Sequence, residues 1–172
     1  PPTIRSRCIK IKLDKHNFKN FNIILKNQIS DINDDEIKFY YDLTNGSPGN
    51  SIKIYNDDIF RILESTFNSL KIKSINNDAV DLANNLSKLE NDKFKSYISI
   101  LKTVLVTLSK LKIDQNETND YLSHKFLALR DLSKSLSMKN IIDRFEFLTK
   151  NENDLFIYNL DKKLFILKFL TS

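Results

Sequence analysis

The sequence predicts a mainly α-helical fold, and three observations support this class. The 172 residues include only two glycines and three prolines, all of them at residues 1–2 and in NGSPGN, residues 45–50. A β-rich fold of this size needs many more turn residues. Apolar residues instead recur every three or four positions along most of the chain, which is the period of a helix with one buried face. The hydrophobic content of 41% is enough for a globular core.

One short segment near the start departs from the helical pattern. In residues 8–13 (CIKIKL) every second side chain is Ile or Leu, which predicts a β-strand with one buried face. A single strand is not stable alone, so we expect its partners to precede Pro1. The sequence opens on PPTIRSRC without an initiator Met, and we therefore expect it to be a piece of a longer protein.

Short helices are predicted to follow the strand. Asp14 is a candidate N-cap for the first helix, and Asn33, followed by three acidic residues, is a candidate for the second. The second helix is expected to end near Gly46, and Pro48 suits the first turn of a third. Residues 56–58 (NDD) predict a break or a further helix start before the next apolar run. We expect three short helices in this part of the chain.

A second group of helices is expected after the polar stretch KIKSINND, residues 71–78. Apolar spacing and polar breaks predict five helices, at about residues 78–89, 92–111, 117–136, 138–148 and 159–170. Helices with one wide apolar face must pack on each other, so five of them are expected to form a bundle. The predicted domains are residues 14–70 and 71–172, divided at the polar stretch.

Composition argues against several classes of protein. Charges of both signs are interspersed, so the net charge of +5 is weak support for nucleic-acid binding. Cys8 is the only cysteine, which rules out an internal disulfide, and no Cys or His pair has metal-ligand spacing. No apolar run approaches the roughly 18 residues of a membrane span. We expect a soluble, cytoplasmic protein without a metal.

The residues themselves show no catalytic arrangement. His16 and His124 lack a Ser, a Cys or paired carboxylates at catalytic spacing, and the sequence contains no GxxxxGK[ST] loop to cradle a phosphate. The acidic residues at 34–36 and 57–58 are expected in the first turns of helices, where the helix dipole favours them.

Two arginines, Arg5 and Arg7, lie one residue apart directly before the predicted strand, in a chain with five arginines among 27 basic residues. An arginine can bind a phosphate with two hydrogen bonds, which a lysine cannot match. A guanidinium held at the start of a buried strand could be presented to a phosphate on a neighbouring molecule. Exposed charge at a chain terminus explains the pair equally well, so both interpretations stay open.

TIRSRC is followed by a predicted strand, then by about thirty residues of predicted helix, and then by GSPG, which opens a further helix. This order resembles the C-terminal part of the delta-prime subunit family of bacterial DNA polymerase III clamp loaders, which are AAA+ proteins. The segment NLDKKLFILKFL is similar to the last helix of such subunits. In that family a Ser-Arg-Cys triplet supplies an arginine finger to ATP bound on the adjacent subunit. The resemblance therefore implies that Arg7 is a finger acting in trans, with Ser6 and Cys8 beside it, and it assigns no role to Arg5.

GSPG also matches the start of the helix that carries the second sensor arginine in ATP-binding relatives. The resemblance places Gly49 at the position of that arginine, which implies that this chain has no ATP cofactor of its own and does not hydrolyse ATP. The ATP would be bound by neighbouring subunits. The implied architecture is the end of an AAA+ core strand (1–13), a three-helix lid (14–70) and a helical collar (71–172) through which subunits assemble.

The resemblance further implies a role in DNA replication as a component of the DNA polymerase III holoenzyme. The expected partners are the gamma/tau and delta subunits, with the sliding clamp and primed DNA contacted indirectly. The apolar stripes of the last helices should exceed what one domain buries, leaving a patch for a partner. Two alternatives stay open: a helical nucleic-acid-binding module, supported only by the net charge, and a helical adaptor unrelated to AAA+ proteins.

Overall fold

The computed structural model describes residues 16–57, 59–71, 76–113 and 124–172, and within these ranges it contains nine helices and no strand. The mainly helical class is confirmed, while the strand predicted at residues 8–13 lies outside the described residues. The helices are α1 (Phe18–Gln28), α2 (Asp34–Leu43), α3 (Pro48–Asn56), α4 (Ile59–Lys71), α5 (Asn77–Ser87), α6 (Asn91–Ile113), α7 (His124–Ser135), α8 (Met138–Ile157) and α9 (Lys162–Thr171).

The start of α1 corrects one predicted cap. The side chain of Asn17 accepts a hydrogen bond from the Asn20 amide at 2.9 Å, and the backbone of Asn17 is extended, as an N-cap requires. The prediction of Asp14 as the cap of this helix is therefore wrong by three residues. Asparagine and aspartate cap helices about equally well, so residue type alone does not decide between them.

The next two helices begin where the sequence predicts. Asn33 forms a capping box with Glu36: the Glu36 amide donates to Asn33 Oδ1 at 2.8 Å, and the Asn33 amide donates back to the Glu36 carboxylate at 3.4 Å. Pro48 is the first residue of α3. The helix ends at Asn56 and α4 begins at Ile59, so four helices lie where three were predicted.

The largest departure from the predicted bounds is in α8. The polar segment TKNEND, residues 149–154, is predicted to end a helix at residue 148, but α8 continues to Ile157. The Thr149 hydroxyl donates to the Phe145 carbonyl at 2.8 Å, and the Asn151 amide donates to the Phe147 carbonyl at 2.7 Å. These side chains bond within the helix, and the segment has no Gly or Pro to interrupt it.

Helix α6 is the centre of the packing. It contacts α2, α7 and α8, while α5 packs on α9 and α4 contacts both α5 and α7. The predicted apolar stripe of α6 is buried, from Phe94 to Leu108, with only Leu111 partly exposed. The buried side chains of all nine helices form one cluster, which includes residues on both sides of the predicted boundary at 71–78. The division into two domains stays a prediction.

A buried hydrogen bond also crosses that boundary. The hydroxyls of Thr66 on α4 and Tyr97 on α6 lie 2.8 Å apart, and both side chains are fully buried. Burial raises the pKa of the Tyr97 hydroxyl, and the Thr66 hydrogen bond only partly opposes this effect. Tyr97 is therefore neutral at all physiological pH values and acts as a structural link.

Candidate functional site at the α2–α3 turn and the α8–α9 surface

The two arginines and the serine singled out in the sequence, Arg5, Arg7 and Ser6, lie outside the described residues, as does Cys8. Of the predicted site positions, Gly49 is described. It lies in the first turn of α3, in the connection from α2 that contains NGSPGN. The geometry of the candidate site therefore begins with this turn.

The turn is fixed by two consecutive left-handed residues, Asn45 with φ 51° and Gly46 with φ 73°. The Gly46 amide donates to the Tyr41 carbonyl at 2.8 Å. A Cβ at Gly46 would lie 3.1 Å from both the His16 carbonyl oxygen and the Tyr41 ring. Backbone conformation and close contact together make glycine necessary here.

Hydroxyl groups around the turn join the end of α2 to the start of α3. The Thr44 hydroxyl donates to the Tyr40 carbonyl at 2.7 Å and accepts from the Ser47 amide at 3.3 Å. The hydroxyl of Ser51, which is fully buried, lies 2.9 Å from that of Thr44. Sequence reasoning missed Thr44 and Ser51, although Ser and Thr beside a Gly-Pro turn commonly bond to local backbone.

Gly49 differs from Gly46 in having no structural need to be glycine. It is exposed, and a Cβ added there meets no atom within 4 Å. The backbone at position 49 therefore has room for a Cβ, so the glycine there is not imposed by the fold. The first cation after it, Lys53, is exposed on α3.

The second notable surface is an exposed apolar cluster where α8 turns into α9. We call it the α8–α9 surface; it comprises Ile157, Tyr158, Leu160 and Leu164, which are 71%, 68%, 50% and 65% exposed. The turn is well defined, because Asn159 adopts φ 49° and Asp161 caps α9 by accepting from the Leu164 amide at 2.9 Å. Large apolar side chains held in water on a fixed backbone are typical of a contact surface.

A buried arginine lies behind the end of α9. Arg144 on α8 is 5% exposed, and its guanidinium donates to the Leu170 carbonyl at 3.1 Å, while Nε has no partner. Burial lowers the pKa of the Arg144 guanidinium, and the charge of Asp143 partly opposes this effect. Sequence reasoning missed this residue, although it interrupts the buried stripe of Ile141 and Leu148 at helical spacing.

The described ranges contain no group of three or more His, Cys, Asp or Glu side chains placed to hold a metal ion. None of their helices combines the length and apolarity needed to cross a bilayer. Comparison of the chain with protein-family models, with curated proteins and with solved structures found no match.

Proposed function

We propose that this chain is the lid and collar part of a clamp-loader subunit of delta-prime type, which assembles in the cytoplasm with ATP-binding subunits and offers Arg7 in trans. The observation that carries the proposal is the α8–α9 surface. Four large apolar side chains stay in water around the turn between α8 and α9, although both helices bury other apolar side chains in the core. A subunit that must associate with others needs such a surface.

The α2–α3 turn gives separate support. GSPG opens a helix directly after a short helix, in the order on which the resemblance depends. Position 49 has room for a side chain but bears none, which suits a subunit that leaves nucleotide binding to its neighbours. Lys53 is the first cation after the turn and lies one helical turn further along α3.

The proposed role of Arg7 is electrostatic. When the γ-phosphate of ATP is transferred to water, negative charge develops on its oxygens, and a guanidinium donating two N–H groups stabilises that charge. A finger supplied by a neighbouring subunit couples hydrolysis to correct assembly, because the arginine is in place only when the subunits are joined. Arg7 would thus contribute to catalysis at a site that this chain does not contain.

Assembly can be tested by co-purification with the gamma/tau and delta subunits of the same organism. We expect the unmodified chain to be retained with them, and Leu164→Asp to be lost because a carboxylate would be buried in the contact. Ile23→Asp is the matched control: Ile23 is 53% exposed on α1, away from the α8–α9 surface, and its replacement should leave retention unchanged.

Two results would overturn the proposed assembly. The unmodified chain could fail to be retained by the clamp-loader subunits, which would favour the unrelated adaptor. Alternatively, Leu164→Asp could be retained as well as Ile23→Asp, which would remove the α8–α9 surface from the interface.

A further inference from the structure

A groove of about 300 Å³ lies between the α2–α3 turn and the first half of α6. One wall is formed by the end of α2, the turn and α3, and the other by successive turns of α6. Its lining residues are Leu43, Thr44, Asn45, Asn50, Lys53, Ile54, Lys95, Ser96, Ser99, Ile100 and Thr103. The volume is at the lower end of the range for small-ligand sites.

The charge of this groove has one sign. Lys53 on α3 and Lys95 on α6 stand on opposite walls, and none of the lining residues is acidic. Neither lysine forms an ion pair with a described residue. Lys95 Nζ lies over the Phe156 ring of α8, 4.9 Å from its centroid, and this ring is not part of the groove lining. Asp57, at the end of α3, is neutralised by Lys93 at 3.2 Å. The two ammonium groups therefore create a positive potential across the groove.

Neutral donors accompany the lysines. The hydroxyls of Ser96 and Thr103 are used within α6, where they donate to backbone carbonyls. The side chains of Asn45, Asn50 and Ser99, in contrast, have no hydrogen-bond partner among the described residues and are exposed. One ammonium group, that of Lys53, two amide NH₂ groups and one hydroxyl thus remain available to an anion, and Lys95 adds a second positive charge whose Nζ must leave the Phe156 ring to donate to the anion.

The base of the groove is apolar. Leu43, Ile54 and Ile100 line it and are at most 7% exposed as residues. A ligand that fits both parts needs an anionic group with several acceptor oxygens for the rim and a flat or apolar portion for the base. Among common metabolites and polymers, a nucleotide unit has this combination, because it joins a phosphate to a base and sugar.

We infer that this groove binds the phosphate of a nucleotide between Lys53 and Lys95, with the base or sugar over Leu43, Ile54 and Ile100. The nucleotide could be free or one unit of a single strand, since the same phosphate chemistry serves both. The proposed function leaves ATP to neighbouring subunits, and this groove is a separate site that does not include Gly49. It also contains no residue of the α8–α9 surface, so the inference does not depend on the proposed assembly.

The experiment is an NMR titration of the ¹⁵N-labelled chain with thymidine 5′-monophosphate, thymidine, inorganic phosphate and a short oligo(dT). We expect the monophosphate to shift the amide signals of Asn45, Asn50 and Ser99 in a saturable way. Lys53→Gln and Lys95→Gln should each weaken binding by about tenfold, as the loss of one charge-assisted hydrogen bond predicts. Lys139→Gln, an equal charge change at the distant start of α8, should leave the affinity unchanged.

Each probe decides one part of the inference. Tighter binding of oligo(dT) than of the monophosphate, at the same residues, would support the inference with a nucleic-acid strand as the source, and equal binding would support it with a free nucleotide. Binding of thymidine as tight as that of the monophosphate would overturn the phosphate site, and binding of inorganic phosphate as tight would overturn the nucleotide. The absence of saturable shifts would overturn the site altogether. So would an affinity of the Lys53→Gln and Lys95→Gln variants equal to that of the unmodified chain.

Discussion

The two groups of helices, α1–α4 and α5–α9, are stabilised at their ends in different ways. In the first group the side chains that cap helix ends come from nearby in the sequence: Asn17, Asn33 and Thr44 all bond within four residues of themselves. Its long-range bond, from the Tyr41 hydroxyl to the His16 carbonyl at 3.1 Å, does not reach a helix end. In the second group three helix ends also receive cations from distant helices. Lys162 donates to the Leu89 carbonyl at 2.7 Å, Lys112 to that of Ser133 at 2.7 Å, and Arg144 to that of Leu170 at 3.1 Å.

Each of these carbonyls lies at or just beyond the C-terminal end of a helix, where the helix dipole favours a positive charge. The second group has local caps as well, at Asn76, Ser137 and Asp161. The difference is that its C-terminal ends depend on tertiary contacts. Helix ends in the first group should therefore respond to local substitutions, and those in the second to substitutions elsewhere in the chain.

The largest effect is expected from Arg144→Ala. The substitution removes a buried side-chain stem and leaves the Leu170 carbonyl without its donor, so we expect the free energy of unfolding to fall by about 3 kcal/mol. Denaturant unfolding monitored by circular dichroism measures this. Arg130→Ala, at an exposed position on α7, should cost less than about 0.5 kcal/mol. Equal costs for the two variants would show that the long-range contact of Arg144 does not stabilise the second group.

A smaller loss in the free energy of unfolding is expected from Gly46→Ala, which tests the α2–α3 turn in the first group. Alanine would be strained at φ 73° and would press on the His16 carbonyl and the Tyr41 ring, so the expected cost is about 2 kcal/mol. Gly49→Ala is the matched control, because its backbone is helical and its surroundings are open. It should raise stability by up to about 1 kcal/mol. If thermal melts showed that both variants change the melting temperature in the same direction, this would contradict the description of the turn.

Asn33→Ala should have a moderate effect, because it removes the side-chain half of the capping box of α2. The expected cost is about 1 kcal/mol, measured by denaturant unfolding. Asn27→Ala, in the last turn of α1 and exposed, is the comparison and should be neutral or slightly stabilising, since alanine favours a helix more than asparagine does. A neutral Asn33→Ala would mean that α2 does not depend on its local cap.

The smallest effect concerns the ion pair between α1 and α2. Lys26 Nζ lies 2.7 Å from the Asp34 carboxylate, and its hydrogen bond and charge lower the pKa of Asp34. A carboxyl whose folded pKa is lowered adds stability above its unfolded pKa and loses it as the pH falls through the folded pKa. Lys26→Met should therefore raise the pKa of Asp34 in a carboxyl NMR titration, whereas Lys19→Met should not. An unchanged pKa of Asp34 in Lys26→Met would show that the pair does not form in solution.

The sequence predicted features that depend on neighbouring residues. The N-cap at Asn33, the helix start at Pro48 and the apolar stripe of α6 follow from local chemistry and period, and the structure confirms all three. The cap of α1 was misplaced at Asp14 because aspartate caps helices as well as asparagine does, so residue type alone does not select Asn17. The end of α8 was misplaced because TKNEND looks like a loop, although its side chains bond back to the helix.

Features that need two distant segments could not be predicted in the same way. No pattern in the sequence pairs Arg144 with Leu170, or places Lys53 opposite Lys95 across a groove, because both depend on how the helices pack. The expectation of an apolar patch on the last helices came from their apolar stripes together with the resemblance, and the α8–α9 surface is an exposed apolar patch there. Which residues would form that patch could be found only from the structure. The predicted roles of Arg7 and Ser6 stay predictions.

The central claim, that Arg7 acts on ATP held by a neighbouring subunit, is tested most directly by clamp-stimulated ATP hydrolysis in a complex reconstituted with gamma/tau and delta subunits. With Arg7→Ala, the complex should still assemble, but ATP hydrolysis at the adjacent site should fall by about 10³-fold. The total rate of hydrolysis should therefore drop by the fraction that this site contributes to it. Arg5→Ala should hydrolyse ATP at the unmodified rate. Full activity of an assembled Arg7→Ala complex, or an equal loss with Arg5→Ala, would contradict the claim.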